Sequence, residues 1–217
     1  MMNEEKEAFH SSFCTLTSAL NFMLVEPVTL EGRFVRLEPL SLSHLAELSD
    51  VAFDEEIWRY TTSVIEKPED LKEYVETAVR WQTEGTALPF ATIDKRSGRA
   101  VGSTRFAAID RVNRHMEIGW TWVAREFQRT YVNTEAKYLM LGHAFENLGC
   151  LRVEFKTDSL NEKSRRALAR IGAKEEGTFR NHMIMPSGRM RHSVYFSIID
   201  SEWPEVKSAL EEKLSRS

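Results

Sequence analysis

The sequence predicts a single mixed α/β domain in which helices pack on a twisted, largely antiparallel sheet. Three observations carry that expectation. The hydrophobic period switches between helical spacing and strict alternation along the chain. Residues 88–123 alternate through three consecutive strands. No internal repeat and no Gly/Ser/Pro-rich linker divides the 217 residues, a length that suits one domain.

Residues 33–38 set Phe34, Arg36 and Glu38 against Val35 and Leu37 and read as a short strand. Residues 44–52 then place Leu45, Leu48 and Val51 at helical spacing. A longer helix carries Leu71, Tyr74, Val75, Ala78, Val79 and Gln82, with Pro68 near its start and Gly85 past its end. Strands over 88–93, 100–109 and 115–123 form a meander, with Ser97 and Gly98 turning the first pair. Alternation puts Met116, Ile118, Trp120 and Trp122 on one face of the third, and His115, Glu117, Gly119 and Thr121 on the other. A helix over 134–148 and an alternating strand over 151–158 follow. Asn161 caps the next helix and Gly172 ends it. Strands over 174–185 and 193–199 join across Pro186, Ser187 and Gly188, and Trp203, Val206, Leu210 and Leu214 stripe a closing helix.

Composition excludes several classes. With 10 glycines, 6 prolines and 42% hydrophobic residues, the chain is neither collagen-like nor disordered. The net charge is −4 and no Lys/Arg block forms a stripe, so no direct nucleic-acid partner is expected, and cationic acceptors are slightly favoured at long range. No apolar run reaches the ~20 residues of a membrane span, so no membrane partner is expected. Cys14 and Cys150 lie far apart, which argues against a disulfide framework and fits a reducing cytoplasm. Residues 1–25 begin with an acidic stretch where a secretory signal would be basic, and read as an extension outside a domain spanning 26–217. His115, His182 and His192 are scattered without metal-ligand spacing, so no metal is expected. Cys150 reads as a small buried residue, and no serine sits in a G-x-S-x-G elbow.

The stretch most informative for chemistry is Gln128, Arg129, Thr130, Tyr131, Val132, Asn133 and Thr134, between a strand and a helix. Backbone N–H groups at a helix start lack intrahelical partners and favour negative charge, so such a loop suits a pyrophosphate. It is equally the form of an ordinary polar connection with Asn133 or Thr134 as N-cap. Around it stand Glu117-Ile118-Gly119-Trp120-Thr121-Trp122 before, Leu160-Asn161-Glu162-Lys163-Ser164-Arg165-Arg166 after, and finally Ile171-Gly172-Ala173. This ordered set, over about residues 28–200, resembles the GNAT superfamily of N-acetyltransferases. It looks most like the RimJ/RimL-type branch of ribosomal-protein alanine and serine acetyltransferases.

The resemblance implies a GNAT-like sheet, splayed at an acyl-CoA cleft with helices on both faces, and acetyl-CoA as cosubstrate without a metal. The family's Gln/Arg-x-x-Gly-x-Gly/Ala loop aligns from Gln128 to Asn133, with Tyr131 and Asn133 where small residues are usual. The pantetheine arm would pair with backbone at Trp122 and Val123 as an added strand does. An N–H near Val123 would polarise the thioester carbonyl. Asn161 and Ser164 would face the thiol end, and Arg166 would lie near the nucleotide. The superfamily's frequent tyrosine proton donor falls at Leu168, which leaves Ser164 as the candidate acid. Glu117 is the candidate base for the amine, or else an ion-paired strand carboxylate; Ser164 is alternatively a helix-start residue satisfying backbone. Trp58, Tyr60 and Trp120 would wall the acceptor, although aromatics on strands also serve as core packing. The acceptor expected is a protein N-terminus or a small-molecule amine, and the branch occurs as monomers and homodimers. The Tyr131 and Asn133 departures raise the alternative of a catalytically silent CoA-binding module.

Overall fold

The computed structural model describes residues 23–216; the expectations for Cys14 and for residues 1–22 lie outside the described residues. Strands β1 (Leu30–Glu31) and β2 (Val35–Pro39) are followed by α1 (Leu45–Ser49), α2 (Glu55–Trp58) and α3 (Pro68–Thr83). The meander is β3 (Leu88–Asp94), β4 (Arg99–Asp110) and β5 (His115–Val123). Then come α4 (Tyr131–Gly142), β6 (Arg152–Asp158), α5 (Glu162–Arg170), β7 (Lys174–Ile184), β8 (Met190–Ile199) and α6 (Trp203–Ser215). They build an eight-stranded sheet of order β1-β2-β3-β4-β5-β6-β8-β7. Every neighbouring pair is antiparallel except β5 and β6.

Each face of the sheet has its own core. On one, Phe90, Phe106, Met116, Ile118, Val153, Phe155 and Phe196 pack against Val132, Ala136 and Met140 of α4 and Trp203, Val206 and Leu210 of α6. On the other, Ala91, Ile93 and Trp122 meet Leu48, Trp58, Leu71, Tyr74 and Val75 of the first three helices. Helix α3 forms where expected: Pro68 opens it, Asp70 accepts from the Glu66 and Lys67 N–H groups at 3.0 and 3.1 Å, and Gly85 leaves at φ +69°. Met23 is buried in the first core, so packing starts inside the stretch expected to lie outside the domain. Among the described residues no helix is long and apolar enough to cross a membrane.

Two local features depart from the sequence expectation. Helix α4 starts three residues earlier than the predicted 134: Thr130, not Asn133 or Thr134, is its N-cap, accepting from the Val132 N–H at 3.3 Å. Its last turn relaxes into a π-helix over His143–Asn147. The second departure is a bulge in β5. Ser103 pairs with Trp122 but Arg105 pairs with Gly119, so two residues of β5 face one of β4, and Trp120 takes φ +48°. The bulge inverts the alternation. Trp120 and Trp122 therefore join the α1–α3 core, on the face opposite Met116 and Ile118, and not with them as strict alternation predicts.

Helix α4 is tied to the sheet by one carboxylate. Buried Glu135 accepts from the Arg33, Phe34 and Val35 N–H groups at 2.8, 2.7 and 2.5 Å. Charge-assisted bonds of this kind are stronger than neutral ones, so α4 and the loop before it are held against β2.

Candidate active site

Strands β5 and β6 pair only over His115–Glu117 and Arg152–Glu154. Beyond Glu117 the two strands have no shared ladder, because β5 stays on β4 and β6 stays on β8. The result is a fork with two open backbone edges. Ala124 N–H donates to Val101 across the β4 side, so alternate geometry turns the Val123 N–H and C=O toward the open edge. The Gln128 amide nitrogen takes that Val123 carbonyl at 3.1 Å, which binds the loop to the fork. Gly102 lets β5 approach β4 here: a Cβ on it would collide with the Trp122 carbonyl oxygen.

Glu117 sits where the strands part, on the α1–α3 face, and is 3% exposed. Burial pushes its carboxyl above the ordinary glutamate range, while the Lys156 ammonium, 2.8 Å away, pulls it down. The net shift is upward. A Cβ on Gly119 would lie 2.6 Å from Glu117 Oε1. The space left by this glycine is thus occupied by the carboxylate of Glu117 itself. Lys156 also lies over the Trp120 ring, 5.7 Å from its centroid.

The Gln128–Thr134 loop lies at the start of α4. Arg129 adopts φ +62°, and the Thr130 hydroxyl donates to the Phe127 carbonyl at 2.7 Å. Tyr131 is the first residue of α4 and does not have a positive φ, so replacing a family glycine costs no left-handed strain. Its ring packs on Phe34 at 4.8 Å and its hydroxyl donates to Asp94 at 2.7 Å. A groove of about 450 Å³ opens beside it, lined by Arg129, Thr130, Tyr131, Thr134, Arg170 and Lys213. Three basic residues from three elements at a helix N-terminus suit a polyphosphate. Asn133 and Val132 are inside the helix, Val132 fully buried in the core.

The remaining residues divide. Arg166 pairs with Glu162 at 3.6 Å on the exposed side of α5, and Arg170, one turn on, enters the groove in its place. Sequence reasoning missed Arg170 and Lys213, because only packing of α5 and α6 brings them to α4. Asn161 caps α5, accepting from the Ser164 N–H at 3.1 Å. The Ser164 hydroxyl itself makes no hydrogen bond among the described residues. Trp58 is buried, donates to the Ala52 carbonyl at 2.6 Å and packs on Trp122 at 5.2 Å. Tyr60 lies under the Arg59 guanidinium at 5.5 Å. Trp120, half-buried, contacts Trp81 and the guanidinium of Arg105. Cys150 is buried, with its thiol pushed up to about 12, as befits a packing residue.

A fork between parallel strands, a buried carboxylate at its apex and a basic groove at the next helix start thus stand together in one mixed α/β sheet domain. Residues 35–174 match the model of the acetyltransferase (GNAT) domain, and the chain belongs to that family. It is 36% identical over 110 residues to a protein of Bacillus subtilis named "Putative ribosomal N-acetyltransferase YdaF", covering 51% of this chain and 59% of that protein. The chain thus spans rather less than two thirds of that relative's length. A crystal structure of a GCN5-related N-acetyltransferase from Brucella melitensis is 35% identical, with 87% of this chain and 86% of that one covered at a TM-score of 0.80. Mycobacterium smegmatis RimJ, solved in complex with CoA-disulfide, shares the fold at a TM-score of 0.72 and 23% identity, over 86% and 95% of the two chains.

Proposed function

We propose that this chain is an acetyl-CoA-dependent N-acetyltransferase acting on a primary amine. The observation that carries the reading is the fork: free β5 and β6 edges diverging from a buried, upshifted Glu117. Acetyl-CoA fits the residues present. The open Val123 edge offers strand-like pairing for its pantetheine arm, and Arg129, Arg170, Lys213 and the free N–H groups of the α4 start suit its pyrophosphate. When bound, it supplies an acyl thioester, and the acetyl group passes to nitrogen in one ternary complex.

The chain's own residues then have distinct tasks. Glu117 takes the proton of the acceptor ammonium, directly or through water, which frees the nitrogen lone pair. The N–H at Val123 stabilises negative charge on the reacting carbonyl. The Ser164 hydroxyl, held on the first turn of α5 by the Asn161 cap, returns a proton to the departing thiolate. Trp58, Tyr60 and Trp120 wall the acceptor side. The ordinary helical backbone at Tyr131 speaks against reading the chain as a silent module.

Calorimetry with acetyl-CoA, followed by thiol release across peptide and amine panels, tests the proposal. Glu117→Gln is expected to lower turnover by about 10²-fold or more while acetyl-CoA affinity stays within about twofold. Absence of acetyl-CoA binding would refute the reading.

A further inference from the structure

Two arginines are almost wholly buried beside this site, and they are compensated very differently. Arg105, 1% exposed, is enclosed by the rings of Tyr74, Trp81 and Trp120 at 4.9, 5.3 and 5.1 Å. Its Nε and Nη2 are sealed from solvent, and the aromatic faces stand in for an anion. Arg191 is 7% exposed and has no such cage. Its Nε donates to the Ser193 hydroxyl at 3.0 Å, and no carboxylate lies within ion-pair distance among the described residues. Buried charges are ordinarily paired, so this guanidinium needs an explanation.

The nearby carboxylates are already committed. Glu117 holds Lys156 at 2.8 Å. Asp158 holds Arg189 and also accepts from the Leu160 N–H at 3.0 Å. Glu154 faces Arg152 at 3.4 Å. The cation is left over on the face that carries Glu117. Strand register pairs Lys156 with Tyr195 and Asp158 with Ser193, so Arg191, Ser193 and Tyr195 share the face that carries Glu117 and Lys156. Glu117 and Arg191 feel each other's charge. Next to Arg191, β7 bulges: Phe179 pairs with Ser193 and Met183 with Arg191, which leaves three residues of β7 opposite His192 alone. A groove of about 930 Å³ opens there, lined by Phe179, Arg180, Asn181, His182 and His192. Arg180 supplies a positive charge to its lining, and no acidic residue lines it.

We propose that the acceptor amine carries a carboxylate, and that Arg191 binds it while Glu117 receives the amine proton. The inference rests on the acetyltransferase reading above and deepens it. The net charge of −4 favours cations only at a distance; on the Glu117 face, among the described residues, the acids Glu117, Glu154 and Asp158 are each ion-paired and Arg191 is not. The carboxylate has two chemical sources, an acidic side chain close to a peptide N-terminus or the carboxylate of a small amino acid.

The test uses the full chain with acetyl-CoA and matched acceptors. One arm compares peptides with Asp or Asn at the second position; the other compares amino acids with their carboxamides. In at least one arm the native protein is expected to prefer the carboxylate member at least tenfold in kcat/KM, and the responding arm names the source. Arg191→Gln is expected to bring that preference to within about twofold of unity at unchanged KM for acetyl-CoA, and Arg191→Lys to keep part of it. Should the Gln variant not fold, the preference of the native protein and the Lys variant still decide. A native ratio near one in both arms, a ratio unchanged by Arg191→Gln, or an inert panel with acetyl-CoA bound would each overturn the inference while leaving the cosubstrate reading intact. Absence of acetyl-CoA binding overturns both.

Discussion

Two lysine ammonium groups reach β5 from opposite faces of the sheet, and they are held in opposite ways. Lys156 meets the Glu117 carboxylate at 2.8 Å on the α1–α3 face. Lys137, on α4, comes from the other side and among the described residues finds only hydroxyls, Thr121 at 2.7 Å and Thr104 at 3.1 Å. Burial without an anion pushes its ammonium down to about 7. The difference separates two tasks. On the α1–α3 face, where we propose that the acceptor binds, the fork keeps a compensated charge pair. On the α4 face it keeps a cation that sheds its charge readily and ties the helix to the bulge through Thr121.

The sharpest way to break this contrast is to remove Lys156. With the ammonium gone, burial acts on Glu117 with less opposition, so its carboxyl rises further. The base must be ionised to work, so the acidic limb of the kcat/KM profile is expected to move up by about one pH unit in Lys156→Met. Turnover at pH 6 should fall about tenfold and recover at higher pH. A profile that keeps its midpoint would show that Lys156 does not tune Glu117. A smaller disturbance is Gly119→Ala. The new Cβ meets the flexible end of Glu117 at 2.6 Å, so the carboxylate rotates and the fold survives. Turnover is expected to drop severalfold with acetyl-CoA affinity unchanged, because small misplacements of a reacting group are costly. Full activity would mean that the carboxylate position seen here is not the working one.

Much of this arrangement was legible in the sequence, for identifiable reasons. Alternation in 151–158 displayed Lys156 on the polar face of β6, and Asn161, Pro68 and Gly85 marked helix ends by chemistry that acts locally. Glu117 stood out through the resemblance of its strand to the family's ordered motifs, since a lone strand carboxylate reads as ion-paired. The bulge was not legible, because Trp120 takes a left-handed φ that nothing local in an Ile-Gly-Trp-Thr-Trp run demands. It is stabilised from afar, by the Tyr74 hydroxyl donating to the Trp120 carbonyl at 3.3 Å and by ring contacts with Trp81 and Arg105. Arg170, Lys213 and Arg191 were missed for the same reason. Their roles depend on which elements converge, and a basic residue on an amphipathic helix or edge hairpin reads as solvated surface until the packing is known.

The smallest expected effect tests the other face. Folded Lys137 titrates at about 7, against an ordinary 10.5 in the unfolded chain. Between those values the unfolded state holds a proton that the folded state has released. Stability from this group therefore rises with pH through that window. Below about 7 both states are protonated, and the folded protein bears the full penalty of a buried ammonium without an anion. Lys137→Met removes the penalty, and Thr104 and Thr121 keep each other as partners at 2.8 Å. Urea midpoints at pH 6 and pH 9 should show the native protein gaining on the variant as pH rises, since all other titrations are common to both. A difference that is flat in pH, or that widens against the native protein, would mean that Lys137 keeps its charge by recruiting water through exposed Thr121. The two lysines would then differ in partner but not in protonation.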